Sequence, residues 1–285
     1  MQEKQNRIRD FLDAGRTLLS IGVYDALSAR IMDQAGIPSV YVTGYGAAAS
    51  TMGFPDIGLI AMPEMVTHVR RIANAVSCPV IADADTGYGG SANVHRTVRE
   101  FESAGANVIQ IEDQMWPKRC GHMEGKRLVE VAEMENRVRV AVHARKSADT
   151  LIMARTDAIA VEGFEASIER ASAYAAAGAD ILFVEAPRDI GQMEAIPKLL
   201  GVPCLANMVE GGKTPFMTVP QLQDMGYAVA IYPISCLLLA AKGIRRLAEA
   251  FKTRGSSGDL QSEMMNFGEF NELIDVKSYL ELDKL

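Results

Sequence analysis

The stretch WPKRCGH, Trp116–His122, places one cysteine beside two cationic side chains. Lys118 and Arg119 precede Cys120, and His122 follows it after a glycine. Positive charge nearby stabilises a thiolate and lowers the pKa of a thiol. Such a group can work in acid–base chemistry, bind a metal, or be an exposed cysteine without a role. Residue types and spacing leave these three interpretations of Cys120 open.

A second group suited to chemistry is the aspartate pair Asp83 and Asp85, at the end of the apolar run PVIADAD. Residues two apart point to the same side of a strand. Two carboxylates that face one site raise each other's pKa unless a cation lies between them. Mg²⁺ prefers oxygen ligands and keeps several waters, so the pair predicts a magnesium site, with Glu112 and Asp56 as outer partners. The alternative is that both aspartates bond to backbone amides or to Arg155.

Arg155, in the run LIMARTD, is the prominent cation among these acidic residues. A guanidinium binds a carboxylate through two parallel hydrogen bonds, so Arg155 is a candidate for binding an acidic substrate. A structural salt bridge with Glu185 is the alternative, and the two roles are compatible. The small residues of Thr43-Gly44-Tyr45-Gly46 allow close approach of backbone N–H groups, which predicts a place for a second carboxylate.

These residues follow short apolar runs, which must form the elements that position them. Stretches with helical period lie between most of the runs, and strands alternating with helices imply a parallel sheet. Eight such units in one chain of 285 residues predict an α/β fold, a closed (β/α)8 or TIM barrel. A doubly wound open sheet is the alternative, but no GxGxxG motif follows the first run. The runs, rich in Val, Ile and Leu, are 18–24, 39–45, 79–85, 107–113, 151–157, 181–187, 203–209 and 227–233.

Reacting groups in such a barrel come from the carboxyl ends of the strands. Cys120 lies after the fourth run in a loop of about residues 114–129, and loops longer than about 12 residues are uncommon unless functional. A thiol on a movable loop above a metal site can donate a proton to a carbanion. The other polar residues at the strand ends form an acidic crater, namely Tyr41, Thr43, Gly44, Tyr45, Asp83, Asp85, Glu112, Asp113, Arg155, Asp157, Glu185, Asn207 and Glu210.

The composition argues against several classes of function. The formal charge is −7 and no basic block occurs, whereas nucleic-acid binding needs clustered Lys and Arg. The polar N-terminus lacks the apolar core of a signal peptide, and no apolar run approaches the ~20 residues of a membrane span. Without CxxC spacing or signs of secretion we expect a cytoplasmic protein with reduced thiols. Cys78, Cys204 and Cys236 stand among apolar neighbours and are expected in the core.

We expect one domain over residues 1–285, with a C-terminal helical extension over about 242–285. The tail from Lys242 has a helical pattern, then a turn at GSSGD, 255–259. The last stretch, FGEFNELIDVKSYLELDKL, is amphipathic. Its apolar face predicts packing on another surface, such as that of a neighbouring subunit.

Several motifs in combination resemble the isocitrate lyase/phosphoenolpyruvate mutase superfamily. They are ADADTGYG at 82–89, IEDQ at 111–114, KRCGH at 118–122 and MARTDA at 153–158. The resemblance extends over nearly the whole chain, from VYDALSARI at 23–31 to the C-terminal SYLELDKL.

This resemblance implies a (β/α)8 barrel with Mg²⁺, or Mn²⁺ as the alternative ion, near Asp83 and Asp85. It implies a homotetramer, a dimer of dimers whose eighth helices are exchanged between subunits. In the carbon–carbon lyases of the family the cysteine of this motif is the catalytic acid, and Cys120 occupies that position. Mutase members lack the cysteine motif, so a phosphonomutase is the less favoured alternative.

Two departures indicate a branch of the superfamily. The loop sequence CGHMEGK and the C-terminal stretch look like the 2,3-dimethylmalate lyase and petal-death-protein branch, which cleaves 2-alkylmalates. Methylisocitrate lyases typically continue RPNK after the cysteine motif and carry an Arg where this chain has Leu238. An apolar side chain there suits an alkyl group, because a third carboxylate would be buried unpaired. Some relatives hydrolyse oxaloacetate; Pro233 favours the lyases, whereas those hydrolases tend to have a serine in this region, and Ser235 is nearby.

The expected reaction is Mg²⁺-dependent cleavage of a 2-alkylmalate to a 2-oxo acid such as pyruvate and a short carboxylate. The alternatives are a 2-methylisocitrate lyase and an oxaloacetate hydrolase or decarboxylase. The expected metal residues are Asp83, Asp85 and Glu112, and the expected catalytic residues are Cys120 as the acid, Tyr41 or a metal-bound group as the base, Arg155 and Glu185. The expected residues for binding the small dicarboxylate substrate are Thr43, Gly44, Tyr45, Asp56, Gly121, His122, Arg155, Asn207, Glu210 and Pro233.

Overall fold

Eight parallel strands form a closed barrel in the computed structural model, which describes residues 7–121 and 123–284. Each strand pairs with the next along the chain, and the last pairs back with the first. The closed (β/α)8 barrel predicted from the apolar runs is confirmed, and the open-sheet alternative is excluded. The strands are β1 (Leu18–Val23), β2 (Ser39–Val42), β3 (Val80–Asp83), β4 (Val108–Glu112), β5 (Leu151–Thr156), β6 (Ile181–Val184), β7 (Cys204–Asn207) and β8 (Val229–Tyr232).

Helices follow the strands along the chain. In the part of the chain that the structure describes, one helix precedes the first strand and two lie between the second and third. Three short 3₁₀ turns occur there, at Ala158–Ala160, Gly258–Glu263 and Leu282–Lys284. The helices are α1 (Arg7–Asp13), α2 (Ala26–Gln34), α3 (Gly44–Met52), α4 (Met62–Ala75), α5 (Ser91–Ala104), α6 (Val131–Ala144), α7 (Phe164–Ala176), α8 (Ile190–Leu200), α9 (Val219–Met225), α10 (Ser235–Arg254), α11 (Phe267–Leu273) and α12 (Val276–Glu281).

Helix α3 differs from the expectation that the second apolar run continues to Tyr45. Strand β2 ends at Val42, and the helix begins two residues later at Gly44. Thr43 is the N-cap residue, with extended backbone, and the following GYGAAAS sequence includes three alanines in a row. Alanine has the highest helix propensity, which explains why the chain turns into a helix at this point.

Glycines end several helices as the sequence predicts. Gly105 ends α5 with φ 101° and Gly201 ends α8 with φ 64°, both in the left-handed region that other residues rarely adopt. At the start of α2 the Asp25 carboxylate accepts a hydrogen bond from the Ser28 N–H, and the Ser28 hydroxyl accepts one from the Asp25 N–H.

Two hydrophobic cores hold the barrel together. The outer core lies between the strands and the surrounding helices and includes the fully buried Phe101 and Tyr174. The inner core fills the barrel with residues from all eight strands, among them Leu18, Leu151 and Phe183. Ile8 of α1 belongs to this inner core, with residues from the amino ends of the strands, so α1 packs at the end of the barrel opposite the carboxyl ends.

The described chain divides into two compact units, one ending at Cys236 and the other beginning at Leu237. The first contains the barrel. The second contains most of α10, together with α11 and α12, and ion pairs join Arg246 to Glu263 and Arg254 to Asp259 within it. The expectation of a single domain with an extension from about residue 242 stays a prediction.

None of the helices in residues 7–121 and 123–284 is both long enough and apolar enough to cross a lipid bilayer.

Candidate active site

A cavity of about 240 Å³ opens at the carboxyl ends of the strands, and it contains most of the residues singled out in the sequence. Those that line it are Tyr41, Thr43, Tyr45, Asp56, Asp83, Glu112, Cys120, Gly121, Arg155, Glu185, Asn207 and Pro233. Eight of these lie on or directly after seven different strands, β2 to β8, and are brought together by closure of the barrel. Gly44 and Asp85 line a small neighbouring cavity that shares Asp56 with the first.

The Asp83 and Asp85 carboxylates lie close together as expected, but the alternation of side chains along a strand is not the cause. Strand β3 ends at Asp83, and Asp85 has a left-handed backbone with φ 48°. Asp83 Oδ1 accepts a hydrogen bond from the Asp85 N–H at 3.0 Å. A methyl group built on Gly44 would lie 3.2 Å from Asp83 Oδ2 and 3.5 Å from Asp85 Oδ1, so Gly44 leaves open the space beside both carboxylates.

Asp83 is fixed by a buried chain of side chains that the sequence analysis missed. The Gln110 amide donates to Asp83 Oδ1 at 3.1 Å, and the Tyr41 hydroxyl donates to Gln110 Oε1 at 2.9 Å. All three residues are buried. A glutamine in the middle of the apolar run NVIQIED was the available signal, because a buried polar side chain needs a hydrogen-bond partner.

Tyr41 was expected to be the base, and its surroundings argue against that role. Burial, and then the nearby Asp83 carboxylate, raise the pKa of the Tyr41 hydroxyl well above its ordinary value of 10. The phenol is therefore protonated at neutral pH, and it is already donating its hydrogen bond to Gln110.

Lys118 contacts carboxylates, whereas the sequence analysis considered it only as a cation near the Cys120 thiol. Its buried ammonium forms ion pairs with Asp56 and, at 2.7 Å, with Asp85 Oδ1. Burial would lower the pKa of Lys118, but the two aspartates outweigh burial and raise the pKa well above its ordinary value. The name Cys120 loop is used for residues 114–121 and 123–129, and the name carboxylate cluster for Asp56, Asp83, Asp85 and Glu112. Lys118 therefore joins the Cys120 loop to the carboxylate cluster.

The carboxylate cluster holds more negative charge than its cations balance. Burial raises the pKa of Asp85 to about 6, with Asp83 adding to the effect and Lys118 opposing it. Burial also raises the pKa of Glu112 well above its ordinary value, against the opposing effect of Arg155. Glu112 Oε1 is buried and has no hydrogen-bond partner among the described residues. A site of this kind favours a bound cation.

The predicted metal residues fit a hard divalent ion that keeps part of its water. Within residues 7–121 and 123–284 no three side chains of His, Cys, Asp or Glu are close enough to hold an ion by themselves. Mg²⁺ needs no such cage, since it usually binds one or two carboxylates, several waters and oxygens of the substrate. The unpartnered Glu112 Oε1 and the open space at Gly44 beside Asp83 and Asp85 are consistent with this mode of binding.

Arg155 lies among three carboxylates. Its Nε and Nη2 donate to Asp157 at 3.0 and 3.1 Å. The guanidinium is also 3.3 Å from Glu185 Oε2 and 3.5 Å from Glu112 Oε2. The expected salt bridge with Glu185 is present, and the sequence analysis did not pair Arg155 with Asp157. Arg155 is therefore held in place by Asp157 at one edge of the cavity.

Asn207, at the end of β7, extends this network through Glu185. Its Nδ2 donates to both oxygens of Glu185, at 3.3 and 3.1 Å. Its Oδ1 is buried and has no hydrogen-bond partner in the part of the chain that the structure describes. Because the cavity is lined by Asn207, this amide oxygen can accept a hydrogen bond from a hydroxyl group of a bound molecule.

Thr43, Gly44 and Tyr45 form the start of α3 and not a loop. The first N–H groups of a helix have no partner inside the helix and favour an anion. The Gly44 N–H points to Asp83 Oδ2 at 3.4 Å, while Thr43 and Tyr45 line the cavity. The expected place for a substrate carboxylate is thus a helix N-terminus, which needs no glycine-rich loop.

The Cys120 loop lies over the cavity. Its base is closed by antiparallel bridging of Gln114 with Leu128. Cys120 is half-buried and lines the cavity, as does Gly121. A methyl group built on Gly121 would lie 2.7 Å from Glu185 Oε2, so the loop backbone contacts the wall of the cavity. This close approach requires glycine.

The remaining expected residues are His122, Glu210 and Leu238. His122 lies outside the described residues. Glu210 does not line the cavity, and its Oε1 accepts a hydrogen bond from the Ser235 hydroxyl. Leu238, expected as an apolar wall, belongs to the second unit and is 43% exposed. An apolar wall exists nevertheless, and the sequence analysis identified only Pro233 of its members, which are Met123, Phe183, Val209, Ile231, Pro233 and Ile234.

Fold and site together define a barrel enzyme with a carboxylate cluster and a thiol-bearing loop at the mouth. The phosphoenolpyruvate phosphomutase family model matches residues 8–252. The chain belongs to this family, within the phosphoenolpyruvate mutase/isocitrate lyase superfamily that its motifs resemble. The resemblance inferred from the sequence is confirmed.

The relatives in sequence include named lyases. The chain is 42% identical to 2,3-dimethylmalate lyase of Eubacterium barkeri over 277 residues, which is 97% of this chain and 96% of that protein. It is 39% identical to 2-methylisocitrate lyase of Aeropyrum pernix over 276 residues, 97% of this chain and 89% of that protein. The chain is accordingly an enzyme of the lyase-containing part of the superfamily.

The chain is also similar to solved structures of two hydrolases. Oxaloacetate acetylhydrolase with 3,3-difluorooxalacetate superposes with a TM-score of 0.93 at 34% identity, over 99% of this chain and 96% of that one. A complex of phosphonopyruvate hydrolase with oxalate and Mg²⁺ superposes with a TM-score of 0.89 at 26% identity, over 100% and 99% of the two chains.

Proposed function

We propose that the protein is a Mg²⁺-dependent carbon–carbon lyase that cleaves a 2-alkylmalate such as 2,3-dimethylmalate. The observation that carries the proposal is the meeting, in one small cavity, of a buried carboxylate cluster and the Cys120 loop. The cavity of about 240 Å³ is smaller than the ~300–1,000 Å³ usual for drug-sized ligands, which suits a short dicarboxylate.

Asp83 and Asp85, with Glu112 farther out, would hold the metal ion. A bound Mg²⁺ polarises the oxygens of a 2-hydroxy acid and stabilises an alkoxide as it forms. The Mg²⁺ and oxalate of the phosphonopyruvate hydrolase complex support the ion and the ligand class. Gln110 keeps the Asp83 carboxylate oriented, because its amide donates to Asp83 Oδ1.

The substrate carboxylates have two places to bind. The N-terminus of α3, where Thr43 and Tyr45 line the cavity, offers backbone N–H groups and a favourable helix dipole for one. Arg155 attracts the other from the edge of the cavity. Asn207 Oδ1, which lacks a described partner, accepts a hydrogen bond from the C2 hydroxyl.

The reaction breaks the C2–C3 bond of the substrate. The C2 hydroxyl gives its proton to a carboxylate of the cavity wall, Glu112 or Glu185, and the C2 part leaves as pyruvate. The electron pair of the broken bond stays on C3 as an enediolate, and Cys120 protonates that carbon. From 2,3-dimethylmalate the second product is propionate. The Cys120 loop excludes water that would otherwise quench the carbanion.

Charge and polarity in the cavity favour a dicarboxylate over a tricarboxylate. Lys118 is already paired with Asp56 and Asp85, Arg155 is assigned to the second substrate carboxylate, and the Arg119 guanidinium bonds to the Glu124 carbonyl at 2.8 Å. The remaining wall, which includes Val209 and Ile234, is apolar and suits a methyl group. A third carboxylate there would lose its hydration without gaining a partner.

A substrate panel tests this proposal. The purified enzyme is incubated with Mg²⁺ and with 2,3-dimethylmalate, 2-methylisocitrate or oxaloacetate, and pyruvate is measured by reduction with lactate dehydrogenase. We expect the highest kcat/KM for 2,3-dimethylmalate, with propionate formed in equal amount. Pyruvate release that is fastest from 2-methylisocitrate, or absent with every alkylmalate, would contradict the proposal.

Oxaloacetate hydrolysis is the second candidate, favoured by the likeness to oxaloacetate acetylhydrolase. The local geometry weighs against it. The hydroxyl of Ser235, the serine near Pro233, is bonded to Glu210, and Ser235 does not line the cavity. Formation of oxalate and acetate from oxaloacetate, measured by ion chromatography, would establish this second reaction.

We also propose a homotetramer that exchanges its eighth helix between subunits. Exposed apolar side chains are concentrated in the second unit, including Leu239, Ile244 and Phe267, of which Phe267 is 82% exposed. Leu27 and Ile31, one helical turn apart on α2, are exposed on the first unit. A second copy of the chain is the proposed cover for both surfaces, and light scattering at micromolar concentration should give four times the mass of the chain. None of the four cysteines forms a disulfide within the described residues, which is consistent with the proposed cytoplasmic location.

A further inference from the structure

Asp157 is a fully buried carboxylate that receives hydrogen bonds from three different side chains. Arg155 donates twice, from Nε at 3.0 Å and from Nη2 at 3.1 Å. Lys126 Nζ donates to Oδ1 at 2.8 Å, and Gln114 Nε2 donates to Oδ2 at 3.3 Å. Both oxygens of Asp157 are therefore shared between the wall of the cavity and residues of the Cys120 loop.

The two loop residues lie on opposite arms of the Cys120 loop. Gln114 precedes Cys120, and its side chain also bonds to the backbone of Arg119, accepting from the N–H at 2.9 Å and donating to the carbonyl at 2.8 Å. Lys126 follows Cys120, and its ammonium also donates to the carbonyl of Gly121. Each arm thus fixes the residue next to Cys120 on its own side.

Asp113 and Tyr174, which lie outside the Cys120 loop, fix the position of Asp157. Asp113 Oδ1 accepts a hydrogen bond from the Asp157 N–H at 3.1 Å, and the Tyr174 hydroxyl donates to Asp113 Oδ2 at 2.8 Å. Burial would raise the pKa of Asp157, but Arg155 and Lys126 outweigh burial and hold the pKa at about 2. The carboxylate is therefore charged at neutral pH, and its backbone is anchored to Asp113, outside the Cys120 loop.

We infer that Asp157 is a positioning residue that couples Arg155 in the cavity to the closed position of Cys120. With the loop closed, Lys126 and Gln114 share the Asp157 carboxylate with Arg155. Opening the loop removes both loop donors and leaves a buried charge with fewer hydrogen bonds, which is unfavourable. The inference rests on the proposed function for the role of Cys120, while the coupling itself rests on the contacts.

Tryptophan fluorescence can report the position of the Cys120 loop. Trp116 is the one tryptophan in the sequence, and it lies in the Cys120 loop, four residues before the thiol. A methyl group built on Gly58 would lie 2.8 Å from the Trp116 ring, so the ring packs against the backbone of a separate loop. The side chain is 49% exposed and the loop at Gly58 covers part of its ring, so movement of the Cys120 loop away from Gly58 would raise the quenching of Trp116 fluorescence by acrylamide.

Substitution of Lys126 tests the coupling without removing any group from the cavity wall. Lys126→Met removes the charge, Lys126→Arg keeps it, and Arg145→Met is the matched control, because Arg145 forms an ion pair with Asp180 at 2.5 Å near the amino end of β5. Asp157→Asn is a second variant and breaks the contact from the other side. Each variant is measured for kcat, KM, acrylamide quenching and melting temperature, with and without Mg²⁺ and oxalate.

We expect Lys126→Met to raise the quenching of Trp116 and to lower kcat at least about tenfold, as befits the loss of a charged hydrogen bond. Lys126→Arg should keep quenching and kcat close to the wild-type values, because it keeps the positive charge. Asp157→Asn should also raise KM, because Arg155 loses two of its bonds. Arg145→Met should lower the melting temperature without changing quenching or kcat.

Unchanged Trp116 quenching in Lys126→Met would overturn the inference. The inference would also be overturned if the kcat of Lys126→Met fell only in proportion to its melting temperature, with the same proportion in the Arg145→Met control. The quenching experiment needs no substrate. If no alkylmalate is cleaved, the proposed function fails while the coupling of the loop to Asp157 is still decided by fluorescence.

Discussion

Gly121 lies directly against Glu185, and a methyl group built on Gly121 would come within 2.7 Å of Glu185 Oε2. This distance is shorter than any ordinary contact with a methyl group, and Arg155 lies close to the same position. The loop that carries the thiol can therefore close only because residue 121 has no side chain.

Replacement of Gly121 by alanine tests this contact. We expect Gly121→Ala to lower kcat at least about tenfold by holding the Cys120 loop away from the wall, since overpacking costs about 1–3 kcal/mol. The matched control is Gly90→Ala, because a methyl group at Gly90 would meet nothing within 4 Å. Equal kcat in wild type and Gly121→Ala would show that close approach of the loop is not needed.

Cys120→Ser tests the assignment of the thiol as the acid. A hydroxyl is a much weaker acid than a thiol, so we expect kcat to fall about 10²–10⁴-fold, the usual contribution of general acid–base catalysis. Binding of oxalate with Mg²⁺, measured by calorimetry, should be unchanged. Cys236→Ser is the control, because Cys236 is half-buried and does not line the cavity. Lyase turnover retained by Cys120→Ser would remove the acid role.

Asp85→Asn tests the metal site. We expect the Mg²⁺ concentration for half-maximal activity to rise at least about tenfold, in line with losses of 10–100-fold for residues that support metal ligands. Mn²⁺ should restore part of the activity. Asp33→Asn is the control, since Asp33 bonds to Ser77 and Cys78 and does not line the cavity. A Mg²⁺ requirement equal to that of wild type would place the metal elsewhere.

The barrel and the residues at the strand ends were predictable because they depend on short-range patterns. Apolar runs at regular intervals specify buried parallel strands, and closure of the sheet brings their carboxyl ends together. Asp83, Arg155 and Glu185 could therefore be placed in one site before any coordinates were known.

The contacts between loops could not be predicted in this way. The partners of Lys118 are Asp56, which is 62 residues away along the chain, and Asp85. Neither the hydrophobic periodicity nor a sequence motif specifies these ion pairs, because they depend on how separate loops pack on each other. The backbone of Asp85 is a second example, because a left-handed residue after β3 replaces the strand geometry from which its direction was inferred.

Ile234→Ala tests the assignment of the apolar wall to the alkyl group of the substrate. One methylene in a hydrophobic pocket is worth about 1–3 kcal/mol, so we expect kcat/KM for 2,3-dimethylmalate to fall at least about tenfold. For a malate that carries an ethyl group in place of one methyl group, Ile234→Ala should lower kcat/KM by a smaller factor. The control is Ile190→Ala, as Ile190 is 49% exposed and lies outside the cavity. Equal losses for both substrates would show that Ile234 does not contact the alkyl group.

Asp157→Asn gives a prediction for stability against pH. The pKa of Asp157 is about 2 in the folded protein and 3.8 in its ordinary state, so the folded form binds this proton less readily. The charged carboxylate therefore stabilises the fold above about pH 4, by roughly 2 kcal/mol, and this contribution is lost as the pH falls towards 2. Urea unfolding should show wild type more stable than Asp157→Asn at pH 6, with the difference narrowing below pH 4. Asp33→Asn, in which a half-buried carboxylate bonded to the Ser77 and Cys78 N–H groups is replaced, should show a smaller change. A difference in unfolding free energy between wild type and Asp157→Asn that is constant from pH 6 to pH 3 would exclude Asp157 as the titrating group.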